Sequence, residues 1–136
     1  MSSINDDGRF LAGVDLSSHQ YCAVILDANN VWQVCAAGKA AGGILQNKPK
    51  LGQAASVRRF GVSLAKTGGT FAIPASLVVG AGGTLIETSG NYVNTLDTSA
   101  VDPVQGEFVV ATADQVSGAA DTVVNVFINL MGAIPF

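Results

Sequence analysis

The stretch Tyr21–Cys35, YCAVILDANNVWQVC, carries the strongest fold signal in this sequence. Two apolar, β-prone runs flank Asp27-Ala28-Asn29-Asn30, a turn-prone tetrad, and this pattern predicts a β-hairpin. Both alternating sets of side chains in the first run are apolar, which is typical of a strand buried on two sides. A turn centred on Ala28-Asn29 predicts the cross-strand pairs Ile25 with Trp32, Val24 with Gln33, and Cys22 with Cys35.

The predicted pairing of Cys22 with Cys35 makes a cross-strand disulfide conceivable. The N-terminus, MSSINDDGRF, has two acids and lacks the basic start and the apolar core of a signal peptide. We therefore expect synthesis in the cytoplasm without export, where cysteines are usually thiols. A reduced, packed thiol pair is the favoured interpretation and a disulfide the alternative.

The same hairpin pattern returns at residues 84–96, TLIETSGNYVNTL, with Ser89-Gly90-Asn91 at the bend. A glycine-led strand follows each hairpin, at residues 43–45 and 106–108. A second strand then opens on Gly-X-Ala, at residues 52–60 and 118–127. We interpret this as a diverged internal duplication, with quasi-repeats at about 20–66 and 80–130.

The fold class that these patterns predict is all-β, with at most one or two short helices. We expect a small β-barrel or β-sandwich-like domain over residues 19–136, preceded by an extended N-terminal arm at residues 1–18 whose middle can pair as a strand. Further strands are predicted at 53–64, 76–79, 108–111 and 122–130, whereas residues 36–43 suit either a helical turn or a loop. At 136 residues the chain can bury one core without a disulfide or metal.

Composition and charge point to a covered surface. Charged residues make up only 12% of the chain, and 16 residues are glycine, whereas about 25% of residues are charged in ordinary soluble domains. Either other copies or a partner cover part of the surface, or the domain has a surface rich in Ser, Thr, Asn and Gln.

The charges are also unevenly distributed along the chain. All seven basic residues precede residue 67, so residues 1–68 carry a net charge of +3 and residues 69–136 a net charge of −6. Complementary potentials of this kind favour head-to-tail contact between copies. The alternative is an asymmetry without a role.

The residues provide no candidate catalytic site. The single histidine, His19, follows Ser17 and Ser18 in a predicted loop, where a nucleophile and its base cannot be aimed from separate elements. One His and two separated Cys do not have the spacing of a metal site. The glycine-rich stretch at 80–83 lacks the lysine and the helix of a phosphate-binding loop. We therefore expect no enzyme activity, no cofactor and no metal.

Nucleic acid and membrane are also not expected as partners. Arg58 and Arg59 are adjacent on a predicted strand and therefore point to opposite faces, and the pI near 4.7 indicates no basic field that would collect phosphates. No apolar run approaches the length that spans a bilayer.

Two parts of the sequence resemble the tailed-bacteriophage capsid decoration, or cement, proteins. From Val24 to Val62 the order is strand, turn, strand, an Ala/Gly segment, Gly-Ile-Leu, and then Gly-Gln-Ala-X-X-Val-X-X-Phe-Gly-Val. The second part reads GTLIETSGNYV at 83–93 and GEFVVA at 106–111. The resemblance covers roughly residues 20–130, and its motifs are turn and strand signatures.

The resemblance implies a structural virion protein on the capsid exterior that clamps neighbouring copies of the major capsid protein, commonly as a homotrimer. Alternatives are another virion β-module (a head fibre base, a tail component or a carbohydrate-binding domain) and a cytosolic enzyme or ligand-binding barrel. Trp32 and Tyr92 are the only hint of a glycan site, and packing is the favoured role for both. The residues expected to contact the capsid or another subunit are Phe10, Leu11, Val14, Ile134 and Phe136.

Overall fold

The computed structural model describes residues 10–88 and 108–133. Within them the chain forms nine strands and one turn of 3₁₀ helix at Ala81–Gly83. The strands are β1 (Ala23–Leu26), β2 (Trp32–Val34), β3 (Gly43–Leu45), β4 (Val57–Arg58), β5 (Gly61–Lys66), β6 (Ser76–Val79), β7 (Leu85–Glu87), β8 (Phe108–Ala113) and β9 (Val123–Ala133).

The strands form two sheets whose strand pairs are antiparallel. The small sheet has the order β2-β1-β3-β4 and the large sheet the order β5-β9-β8-β6-β7. The prediction of an all-β, sandwich-like fold is confirmed. The barrel alternative is not confirmed, because the regular strands of neither sheet close into a ring.

Two apolar cores lie on the two faces of the small sheet. The central core joins the sheets: Ala23, Cys35 and Ile44 pack with large-sheet residues such as Leu77, Val126 and Ile128. The other core, called here the small-sheet core, consists of Ala12, Leu16, Val24, Trp32, Leu45, Ala55 and Val57. Strand β1 contributes Ala23 to one core and Val24 to the other, and both are fully buried. Two-sided burial of this strand is confirmed.

The turn after β1 sets the hairpin register, and the predicted register is wrong by one residue. Asn30 donates its N–H to the Asp27 carbonyl and has φ 62°, while the Asp27 N–H donates to Val31. This is a three-residue loop that ends in a left-handed residue, and not the two-residue turn assumed above. The observed pairs are Val24 with Val34, Ile25 with Gln33, and Leu26 with Trp32.

The carboxylate of Asp27 stabilises this loop. Its Oδ1 accepts the N–H of Asn29 at 2.8 Å and that of Val31 at 3.3 Å, and its Oδ2 accepts the Gln33 side-chain amide at 3.0 Å. The bond from Gln33 is the main cause of the lowered pKa of Asp27; desolvation opposes it, and the two backbone bonds lower the pKa further. Because the folded-state pKa is depressed, this stabilisation is present above the ordinary carboxyl pKa and is lost as pH falls through the folded value.

The predicted strand at 53–64 is two strands in different sheets. β4 ends at Arg58 in the small sheet, and β5 begins at Gly61 in the large sheet. Gly61 has φ 94°, a conformation that L side chains rarely adopt. The glycine therefore allows the chain to pass from one sheet to the other, and β5 lies outside the sheet built by the rest of the first proposed repeat. The duplication itself stays a prediction, because residues 89–107 lie outside the described residues.

The N-terminal segment is bonded into the small sheet from residue 10 onward. Leu11 forms a bridge with Ala54 and Ala12 forms a bridge with Trp32. The Ala12 N–H donates to Gln53 at 2.8 Å, and the Leu16 N–H donates to Pro49 at 2.9 Å. Residues 10–16 thus cover the small-sheet core on the side away from the large sheet.

A buried hydroxyl pair joins two loops at the end of the large sheet. Thr67 Oγ1 lies 3.1 Å from Ser117 Oγ and donates to the Ala119 carbonyl at 3.0 Å, and both residues are buried. Thr67 also forms a bridge with Leu85 of β7. Since Thr67 directly follows β5, this contact brings together the two edge strands of the large sheet, which is therefore strongly curled.

The contact between Gly83 and β1 generates a stability prediction. Gly83 has φ 81°, and a Cβ there would lie 2.7 Å from the Ala23 carbonyl oxygen, whereas Gly82 has φ 68° with no atom within 4 Å. We expect Gly82→Ala to lower the free energy of unfolding by about 1 kcal/mol, the cost of the left-handed conformation. Gly83→Ala should cost at least about 2 kcal/mol more, because backbone must move.

Urea unfolding of the two variants measures this difference. Equal losses of stability for Gly82→Ala and Gly83→Ala would show that the 3₁₀ turn does not press against β1.

Candidate interaction surface

The residues considered for chemistry make only short-range contacts in the part of the chain that the structure describes. His19 Nδ1 lies 3.2 Å from Ser18 Oγ in an exposed loop. The carboxylate of Asp15 accepts both the N–H and the hydroxyl of Ser17, and the hydroxyl bond is the main cause of the lowered pKa of Asp15. Across residues 10–88 and 108–133, no group of three or more His, Cys, Asp or Glu is placed to hold a metal ion.

In the same ranges, no helix is long and apolar enough to cross a membrane.

The two cysteines are buried free thiols. The one-residue change of register places Cys35 beside Ala23 in the central core, whereas Cys22 lies against Gly83 and is not opposite Cys35. Burial is the main cause of the raised pKa of each thiol and raises that of Cys35 to about 11. The predicted direct pairing of Cys22 with Cys35 is therefore wrong.

Trp32 has a structural role. Its side chain is buried in the small-sheet core and packs against Gly42, where a Cβ would meet the indole ring at 2.9 Å. The structure confirms that Trp32 is packed in a core, which is the role favoured above over a glycan site. Tyr92, the other half of that hint, lies outside the described residues.

The predicted contact residues have different environments. Phe10 is half-buried against the small-sheet core, whereas Leu11 is 48% exposed and Val14 is 38% exposed. Leu51, on the segment that pairs with Leu11, is 67% exposed and was not predicted. Leu11, Val14 and Leu51 are called here the N-terminal surface. Ile134 and Phe136 lie outside the described residues.

A second apolar surface lies on the outer face of β5 and β9. Val62 pairs with Phe127, Leu64 with Asn125, and Lys66 with Val123. Phe60, just before β5, meets the Phe127 ring edge-on at 5.7 Å between centroids. Apolar side chains thus form a continuous group, of which Phe127 is half-buried and the others are exposed. This group is called here the β5–β9 face: Phe60, Val62, Leu64, Val123 and Phe127.

Strand β5 has an inverted arrangement of large and small side chains. Its inward residues, Ser63 and Ala65, are small and buried, while the outward Val62 is 57% exposed. Burying the larger apolar side chain is ordinarily favourable by roughly 1.5–3 kcal/mol. A strand that keeps its large apolar residues outward is therefore typical of a surface that another molecule covers.

Sequence reasoning missed this face. The sequence predicts a strand at residues 53–64 without indicating which of its side chains face the core. The alternation from Phe60 to Lys66 is visible in the sequence, but it becomes informative only when the sheet shows that Ser63 and Ala65 point inward.

Charged and polar groups lie at the edges of the β5–β9 face. On the β5 side, Arg58 Nη1 donates to the Val62 carbonyl at 3.0 Å and Arg59 Nε donates to the Gly42 carbonyl at 3.1 Å. Neither guanidinium faces a carboxylate within the part of the chain that the structure describes. On the β8 side, Asp114 is exposed next to Asn125, whose side chain bonds to Gln115.

The buried thiols lead to a reactivity prediction. In the native protein at neutral pH, we expect Cys22 and Cys35 to react with a thiol reagent far more slowly than a free cysteine, because burial excludes the reagent and disfavours the thiolate. After denaturation without a reductant, both should react. One or no reactive thiol per denatured chain would instead indicate a disulfide.

No protein-family model matches this sequence, and no curated protein sequence matches it. A solved structure with a similar fold is the crystal structure of the N base of the head fibre protein gp8.5 from bacteriophage phi29. The match covers 93% of this chain and 95% of that chain, with a TM-score of 0.62 and 12% identity. At this identity the likeness concerns the fold, and it extends over nearly the whole of both chains.

Proposed function

We propose that this protein is a structural component of a bacteriophage virion that binds the outer surface of the head. The observation that carries the proposal is the likeness of fold, over nearly the full length of both chains, to the N base of a phage head fibre. The decoration-protein turn and strand signatures, found independently in the sequence, support the same location. A binding role also suits a domain with two exposed apolar surfaces.

Within this role, the finer proposal is a decoration protein that stabilises the shell by clamping neighbouring copies of the major capsid protein. Repetition of a modest contact over a lattice provides avidity, so each contact can be small. We further expect a homo-oligomer, for which the sequence resemblance implies three copies. The protein acts through binding and not through catalysis.

The second candidate is the base of a head fibre, and the phi29 structure specifically favours it. Both candidates place the domain on the shell and differ in what lies around it. Cryo-electron microscopy of virions from the encoding phage distinguishes them. Density that bridges adjacent capsid proteins supports the clamp, and density beneath a projecting fibre supports the base. Virions that lack the protein altogether would overturn both.

The N-terminal surface is our candidate for capsid contact. Backbone bonds from Ala12 to Gln53 and from Gly13 to Trp32 hold its chain in place, so Leu11 and Val14 are presented at little cost in conformational entropy. Removing residues 1–12 is a poor test because Ala12 is buried in the small-sheet core. Substitutions of exposed side chains separate binding from folding more cleanly.

Replacing Leu11 and Val14 together by serine should weaken binding to purified heads by about tenfold or more, because contact residues lose apolar area. Cosedimentation with heads that lack the protein measures the affinity. Val116→Ser is the matched control, since Val116 is also an exposed apolar residue but belongs to the connection between β8 and β9 of the large sheet. Its affinity should equal that of the wild type. A double variant that binds as tightly as Val116→Ser would exclude the N-terminal surface.

A further inference from the structure

We propose that the β5–β9 face binds a second copy of this chain. The inference concerns a contact between free protein molecules and does not depend on capsid binding. It names the residues that bring copies together, which the proposed function leaves open.

The size of the face suits the apolar centre of such a contact. Phe60 and Val62 are each 57% exposed, and with Leu64, Val123 and Phe127 they present roughly 300 Å² of apolar surface, comparable to the largest patch on a typical monomer. A standard interface buries about 800 Å² on each partner. The polar residues around the face, including Thr112, Asp114 and Gln115 on the β8 side, would supply the remaining rim.

The middle of the face is apolar, and its two sides carry opposite charges. Arg58 and Arg59 flank it beside β5, and their nitrogens contact carbonyl oxygens. Asp114 flanks it beside β8, because the Asp114 N–H bonds to the Asn125 carbonyl and Asn125 pairs with Leu64. Lys66 and the exposed Asp121 lie near the Val123 end and carry opposite charges.

This distribution favours a copy of the same chain as the occupant. When the β5 side of one copy meets the β8 side of the next, each apolar centre is covered and Arg58 and Arg59 approach Asp114 of the neighbour. The β5 side of the face is thus complementary to the β8 side of the same face on a neighbouring copy, as a head-to-tail contact that closes into a ring requires. Unlike charges at the rim give the contact its register and orientation.

Val62→Glu tests the apolar centre. The side chain is exposed in the single chain, so the variant should fold, but it would place a carboxylate in the centre of the interface. We expect the wild type to sediment as an oligomer and Val62→Glu to raise the dissociation constant by about 100-fold. Leu51→Glu, an equivalent substitution on the N-terminal surface, is the control and should sediment as the wild type does.

Three results of this experiment would overturn the proposal. They are a wild type that is monomeric at every concentration, a Val62→Glu variant that associates like the wild type, and a Leu51→Glu variant that dissociates equally. Because no capsid is present, failure here leaves the capsid-binding test unaffected.

A charge exchange tests the rim without touching the apolar centre. Arg59→Glu and Asp114→Lys should each raise the dissociation constant by about tenfold at low salt, since each places like charges together. The double variant should recover most of the wild-type affinity. Both side chains are exposed, and Asp114 contributes only its backbone N–H to the sheet. A double variant that associates no better than the single ones contradicts the pairing of the two sides.

Discussion

Two-sided burial of β1 is the constraint on which the rest of the structure depends. Ala23 faces the central core and Val24 faces the small-sheet core, and neither has contact with solvent. A strand in this position must be apolar on both faces, and its register must be correct, because a one-residue slip exchanges the contents of the two cores. The Asp27 loop provides that register through its left-handed Asn30.

The close approach of the sheets follows from the same strand. Gly83 lies against the Ala23 carbonyl. Tyr21, just before β1, donates its N–H to Leu45 in the small sheet and accepts the Lys66 N–H from the large sheet. Its φ of 68° is uncommon for a residue with a side chain, and the backbone bonds on both sides stabilise that conformation. The sheets are thus joined by hydrogen bonds as well as by apolar packing.

The proposed functions of this protein depend on the surfaces that remain exposed outside its two apolar cores. The N-terminal surface and the β5–β9 face carry large apolar side chains outward, although small ones on the same segments, such as Ala12 and Ala65, are fully buried or nearly so. The proposed roles, capsid contact for the first and copy–copy contact for the second, use the two surfaces for different partners. Each copy could then bind the shell and a neighbour at once.

The sequence by itself determined the all-β class, the two-sided apolar strand β1 and the strands at β3, β6, β8 and β9, because these follow from local alternation and turn residues. Only the tertiary structure decided the Val24–Val34 register, the division of the 53–64 strand at Gly61 and the outward direction of Val62. The side of a strand that faces the core depends on which strands lie beside it. That information comes from contacts distant along the chain, such as β5 with β9, and local patterns do not contain it.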